Sequence, residues 1–141
     1  MKPIELAGCI ILDDYGRMLL LHRNDGDHSQ WEMPGGKLED YETAEEAAIR
    51  KLHEELAVEV RLTGSLGSET FERNENTYKY NWFQAVVASG TPQIVETDLF
   101  DDFDYFELED MPGLALSEDM LILYPKIYSG DISVDFQPLD N

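Results

Sequence analysis

The sequence predicts an α/β chain, in which strands and helices alternate, and three observations carry that prediction. Residues 43–56 (TAEEAAIRKLHEEL) show helical spacing of apolar residues behind a strong start signal. Residues 77–88 (TYKYNWFQAVVA) are aromatic and β-branched, and form the clearest strand. Residues 4–12 and 18–21 are apolar runs flanking Asp13, Asp14, Tyr15 and Gly16, which reads as a hairpin.

In chain order, IELAGCIIL is the first arm of that hairpin. MLLL is the second, apolar enough to be buried on both faces and closed by Arg23. Residues 24–30 form a polar loop. Trp31, Pro34, Gly35 and Gly36 then make a glycine-rich turn that leads into the helix. Thr43 suits the N-cap, and Glu46 three residues later completes a capping box. Glu45 and Glu46 also favour the positive end of the helix dipole. Ala44, Ala47, Ala48, Leu52 and Leu56 form a narrow apolar stripe, and its small residues permit close packing.

Beyond the helix, residues 58–72 alternate loosely around Gly64 and Gly67 and predict a bulged or bent strand, with a turn at 73–76. On the next strand Tyr78, Tyr80, Trp82, Gln84 and Val86 share one face. Residues 89–93 break it. Residues 96–110 are the most acidic stretch, with a short strand expected at Phe103–Leu108. Residues 117–128 read as a helix opened by Ser117, which Pro125 must kink or end. The tail from 129 to 141 reads as irregular. With no repeat and no linker, residues 1–141 are expected to form one domain.

Composition narrows the function. A hydrophobic fraction of 43% supports a packed core. A formal net charge of -20, with only ten Lys and Arg, argues against nucleic acid as a partner. It also repels a bare polyphosphate more than a metal-complexed one. No apolar run is long enough to span a bilayer, no signal-peptide pattern opens the chain, and a single cysteine precludes an internal disulfide. These features predict a cytoplasmic protein without membrane contact, a monomer or homodimer, with Cys9 as a buried thiol.

The chemistry lies beside the apolar stripe. Residues 51, 54 and 55 project from one side of the last helical turns. Glu54 and Glu55, with Glu42 beyond the helix start, offer hard oxygen ligands suited to Mg²⁺ or Mn²⁺. The glycine turn can add a carbonyl and let a phosphate come close.

At these residues the chain resembles the Nudix hydrolase (MutT-like) family, whose box is G-x5-E-x7-R-E-U-x-E-E-x-G-U, with U a bulky apolar residue. Gly36, Glu42, Arg50, Leu52, Glu54, Glu55 and Val58 fall on it in register. Three positions depart. Lys51 stands where the family has a glutamate, Ala57 replaces the box glycine, and Tyr41 occupies a place where glycine is frequent.

The resemblance implies an α/β/α sandwich with a mixed, curved sheet and helices on both faces. It implies divalent-metal-dependent cleavage of a pyrophosphate bond in a nucleoside diphosphate linked to another group. The substrate would be a small nucleotide-type molecule. Gly36, Glu54 and Glu55 would hold the metal, joined by a carboxylate of the acidic loop. Asp101 is the candidate there, with Asp98 and Asp102 beside it and Glu96 behind. Glu54, Glu55 and Arg50 form the catalytic set, with Arg50 bracing Glu54 or Glu42 by an ion pair.

Arg23 and Lys37 read either as phosphate contacts or as ordinary surface cations. Trp82, with Tyr78 and Tyr80, reads either as a base-stacking residue or as core. His53 points off the site, and His22 and His28 lack a ligand partner at useful spacing. With Lys51 in the box, the base that activates water must come from elsewhere. The alternative is a catalytically degenerate Nudix domain that binds a nucleotide or metabolite as a sensor or partner module.

Overall fold

Two sheets carry the fold, each built around one of the first two strands. The structure is a computed structural model and describes residues 2–136. The strands are β1 (Ile4–Ile11), β2 (Met18–Asn24), β3 (Ser29–Glu32), β4 (Gly35–Lys37), β5 (Glu59–Arg73), β6 (Asn76–Ser89) and β7 (Phe100–Phe106). Helix α1 (Ala44–Leu56) lies between β4 and β5, and α2 (Glu118–Ser129) follows a 3₁₀ turn at Leu108–Gly113. A four-stranded sheet has the order β4-β1-β6-β5, and a three-stranded sheet the order β3-β2-β7. The first is mixed, since β1 runs parallel to β6 and antiparallel to β4, whereas the second is antiparallel throughout.

The expected hairpin of β1 and β2 is corrected. The turn itself is tight: the Asp13 carboxylate accepts hydrogen bonds from the backbone N–H groups of Tyr15 and Arg17. Past the Leu12–Met18 bridge, however, the strands part into different sheets. Each strand is central in its own sheet, so both its edges are occupied. Two-sided apolar strands favour interior positions of this kind.

Alternation along the strands divides the core in two. Ala7, Cys9 and Ile11 of β1 and Phe83 and Ala85 of β6 pack with Ala47, Ala48, Leu52 and Leu56 of α1. Ile10 of β1 and Tyr80 and Trp82 of β6 pack instead with Met120, Leu123 and Ile127 of α2. The sheet layer therefore lies between α1 and α2, the sandwich that the family resemblance implied. Complete burial of the two alanines lets α1 approach the sheet closely.

Strand β5 is irregular as expected, with register shifts at Glu59/Val60, Leu62/Gly64 and Ser65/Gly67. Its two-residue turn, Asn74 and Glu75, has φ of 51° and 67°, the signs a type I′ hairpin requires. Strand β7 begins at Phe100 rather than Phe103, so Asp101 and Asp102 lie on a strand and not in a loop before one. Helix α2 continues through Pro125 to Ser129, because its buried stripe of Met120, Leu123 and Ile127 spans the proline. Residues 130–136 are irregular, while the expectation for 137–141 falls outside the described residues. No helix among the described residues is long and apolar enough to cross a membrane.

Candidate active site

Helix α1 is fixed at both ends. Thr43 Oγ1 accepts the Glu46 N–H at 3.1 Å, and the Glu46 carboxylate accepts the Thr43 N–H at 2.9 Å, the reciprocal capping box. At the other end Ala57 is left-handed (φ 58°, ψ 35°), and its N–H donates to the His53 carbonyl. Against the helix lies the turn into β4. A β-carbon at Gly35 would collide with the Ala7 carbonyl, so only glycine allows the turn to sit this low.

Two ionic groups flank the helix. The outer group is centred on Arg50. Its Nε and Nη2 donate to the two Glu42 oxygens at 2.7 and 2.9 Å, and its Nη1 donates to both Glu54 oxygens at 3.0 Å. A further Nη2 bond reaches the Lys37 carbonyl at 3.1 Å. Hydrogen bonds from Arg50 depress the Glu42 carboxyl to about 2. Partial burial would raise Glu54, but the Arg50 hydrogen bonds and the Lys51 charge hold it below the usual range.

The inner group is centred on Glu55, which is 3% exposed. Its Oε1 accepts the Gly35 N–H at 2.8 Å, and its Oε2 lies 4.0 Å from Lys51 Nζ. Burial pushes this carboxyl up to about 8. The Lys51 charge and the Gly35 hydrogen bond oppose the rise, and Glu32 and Glu96 add to it. Glu96 Oε1 is itself buried without a hydrogen-bond partner. Lys51 reaches Glu54 at 3.4 Å.

A cleft of about 310 Å³ opens beside this inner group, lined by Leu6, Arg23, Glu32, Gly35, Gly36 and Tyr80 among others. Arg73 and Asp119 lie on its lining as well. Burial raises the Asp119 carboxyl, and the charge of Glu32 reinforces that. A larger cleft of about 940 Å³ is lined by Thr63, Gly64, Gln84 and Asp135 and takes no residue from the glycine turn; neither cleft is lined by a residue of α1.

The structure thus ties Glu55 to the glycine turn through the Gly35 N–H and Glu54 to Lys51, with Arg50 bracing both Glu42 and Glu54. Other expected site residues fall elsewhere. Trp82 is fully buried against α2 and stacks on Tyr80 at 5.7 Å, so it is core and not a substrate platform. The even-numbered face of β6 points at α2, which decides between the two readings. Asp101 is engaged by His22 at 2.7 Å and Asn24 at 2.8 Å on the outer sheet. The acid of this stretch whose charge acts on Glu55 is Glu96, and its Oε1 is buried without a hydrogen-bond partner. His22 is thus hydrogen-bonded to Asp101, and its Nε2 also lies 3.3 Å from Ser29 Oγ, but among the described residues it joins no group of side chains that could hold a metal.

Arg23 lines the cleft but donates from Nε and Nη2 to Glu32, and stacks 4.8 Å from the Phe100 ring. Lys37 is exposed at the end of β4 and is not part of the cleft lining. Glu32, Arg73 and Asp119 were not legible in the sequence as cleft residues, because only the packing of β3, β5 and α2 places them together.

The donor chemistry fits a hard divalent cation. Glu54, Glu55 and Glu96 are carboxylates, and the buried Glu96 Oε1 lacks a positive or hydrogen-donating partner. Among the described residues no three acidic, His or Cys side chains already converge as a ready-made cage. Arg50 and Lys51 hold two of the carboxylates instead.

An α/β/α sandwich in which a glycine turn is hydrogen-bonded to a buried glutamate of the first helix is the arrangement of a Nudix-type fold. The chain belongs to the Nudix family: the family's NUDIX domain matches residues 3–127. The 8-oxo-dGTP diphosphatase of Proteus vulgaris is 39% identical over 61 residues, which are 42% of this chain and 54% of that protein. The dihydroneopterin triphosphate diphosphatase of Escherichia coli K12 is 36% identical over 59 residues, 42% of this chain and 39% of its own length. The chain thus spans about half, or less, of the length of these relatives. The crystal structure of the MutT NUDIX hydrolase from Burkholderia pseudomallei superposes with a TM-score of 0.79 at 28% identity, covering 90% of this chain and 99% of that one.

Proposed function

We propose that this chain is a divalent-metal-dependent hydrolase that cleaves a pyrophosphate bond in a nucleoside diphosphate linked to another group. The observation that carries the reading is Glu55. A carboxyl 3% exposed, raised to about 8, and held by a glycine-turn N–H beside a cleft is costly to keep for stability alone. Gly36 through its carbonyl, Glu54 and Glu55 would hold Mg²⁺ or Mn²⁺. Such an ion, when bound, neutralises phosphate charge and lowers the pKa of water.

The chain's own residues supply the rest. The Gly35 N–H orients Glu55, and Arg50 fixes Glu54 from the outer side. Glu96, with an unpaired buried oxygen, takes the proton of the attacking water as its oxygen bonds to phosphorus and the bridging P–O bond breaks. Tyr80, Arg73 and Asp119 give the cleft a surface for the group beyond the phosphates. The diphosphatase names of the two relatives support a nucleotide-type substrate.

A screen of nucleoside triphosphates, 8-oxo-dGTP, nucleotide sugars and ADP-ribose, with Mg²⁺ or Mn²⁺ and again with EDTA, tests the reading. Metal-dependent release of phosphate or pyrophosphate, or of a nucleoside monophosphate, is expected for at least one class. Binding without turnover in any of them would make the chain a binding module instead.

A further inference from the structure

We propose that the Lys51 ammonium is a resident cation that takes the place of one divalent ion and contacts the substrate's diphosphate directly. The identity of that ligand rests on the hydrolase reading above; the placement of the cation does not.

Three observations converge. The Lys51 side chain is 19% exposed, so its charge is largely withdrawn from water. Its arm lies flat on Gly36: a β-carbon there would stand 2.6 Å from Cε and 3.2 Å from Nζ. Gly36 is a lining residue of the cleft, so the lysine arm packs one residue behind the cleft surface. Finally, Nζ is only loosely held. It lies 3.4 Å from Glu54 and 4.0 Å from Glu55, both longer than a charge-assisted hydrogen bond of about 2.7–2.9 Å. An ammonium has three donors, and neither contact uses one at full strength.

The other cations near the site are differently placed. Arg50 is held by four side-chain bonds of 2.7–3.0 Å to Glu42 and Glu54. Arg23 is committed to Glu32, and Arg73 pairs with Glu118 at 3.7 Å. Lys51 therefore has more capacity left for an incoming anion than Arg50 or Arg23. Its single positive charge also faces two glutamates, where a third carboxylate would have called for another metal ion to balance it.

The test compares the parent with Lys51→Glu and Lys51→Met. Bound Mn²⁺ is counted by the loss of the free-ion electron paramagnetic resonance signal. Inorganic pyrophosphate binding is measured by calorimetry in EDTA at near-physiological salt, which screens the long-range repulsion of the acidic chain. We expect Lys51→Glu to bind one Mn²⁺ more than the parent, and Lys51→Met to bind pyrophosphate at least ten-fold more weakly than the parent. An equal ion count in parent and Lys51→Glu overturns the proposal, as does unchanged pyrophosphate affinity in Lys51→Met. If Lys51→Glu fails to fold, the methionine variant decides alone. Neither readout needs turnover. A protein that passes both and hydrolyses nothing in the substrate screen defeats the hydrolase reading and leaves Lys51 assigned.

Discussion

Arg50 and Lys51 are consecutive in the chain, yet they serve regions with opposite electrostatics. On the outer side, Glu42, Arg50 and Glu54 form a partly solvated network in which the cation is bonded on both sides. Both of its carboxyls titrate below their ordinary values. On the inner side, Glu55 is buried, its carboxyl is raised to about 8, and Glu96 Oε1 has no partner. The outer region resembles a brace, where every group is satisfied. The inner region keeps buried polar groups under-satisfied, which folding alone does not favour and a ligand would relieve.

The largest effect should come from the inner side. Glu55→Gln is expected to lower turnover by roughly 10²-fold or more, the equivalent of several kcal/mol of metal-ion stabilisation, while the fold is kept. The amide still accepts the Gly35 N–H, and glutamine is a good helix former. Steady-state kinetics alongside circular dichroism checks this. A variant as fast as the parent would show that the under-satisfied region is not where the chemistry happens.

Removing the brace should act mainly on stability. Arg50→Ala leaves Glu42 and Glu54 without their shared cation, at side-chain exposures of 12% and 41%. The cost should be about 2 kcal/mol, between the values for exposed and buried pairs. Urea unfolding measures it. A loss under about 0.5 kcal/mol would show that the outer network is as solvated as an ordinary surface pair and does not brace the site.

The two regions also titrate in opposite senses. The folded Glu42 carboxyl is depressed from 4.5 to about 2, so its stabilisation is present above 4.5 and is lost as pH falls toward 2. The folded Glu55 carboxyl is raised from 4.5 to about 8, so its contribution is full below 4.5 and is lost as pH rises toward 8. In EDTA, thermal stability should therefore fall on both sides of a maximum near pH 5. Glu55→Gln should flatten the alkaline limb only, and Glu42→Gln the acid limb only. If either variant alters both limbs alike, the division into two regions fails.

How much of this could be read from the sequence follows the same division. Helix α1, its capping box and the Arg50 pairings are local: they depend on residues within one or two turns, and Glu42 lies eight residues from Arg50. They were legible. The inner region is assembled from β3, β4, α1 and the loop before β7, and only the packed fold says which acids arrive there. Within ETDLFDD the sequence offers four acids and points to Asp101 with Glu96 behind, but β7 starts early enough to carry Asp101 and Asp102 off on a strand. That leaves Glu96 facing inward. The Trp82 reading turned on which side of β6 the second helix would cover, a long-range fact that alternation does not contain. The parting of β1 and β2 is of the same kind, since it depends on the partners β4 and β6 already occupying both edges of β1.

The smallest effect concerns where the inner face of the helix ends. Ala57 takes the left-handed conformation, φ 58° and ψ 35°, that a glycine adopts without strain. An L-residue there costs roughly 1–2 kcal/mol, and glycine gives back part of that gain through the freedom it adds to the unfolded chain. Ala57→Gly should therefore stabilise the protein by about 0.5–1 kcal/mol and leave turnover unchanged. Tyr41, at φ 65° and fully exposed, is the matching position at the outer entry to the helix. Tyr41→Gly should give a gain of the same sign. Thermal unfolding of both variants compares the two ends directly. A gain at Tyr41 with a loss at Ala57 would show that the Ala57 methyl packs against the inner region tightly enough to outweigh its backbone strain. The helix exit would then belong to the site and not merely terminate the helix.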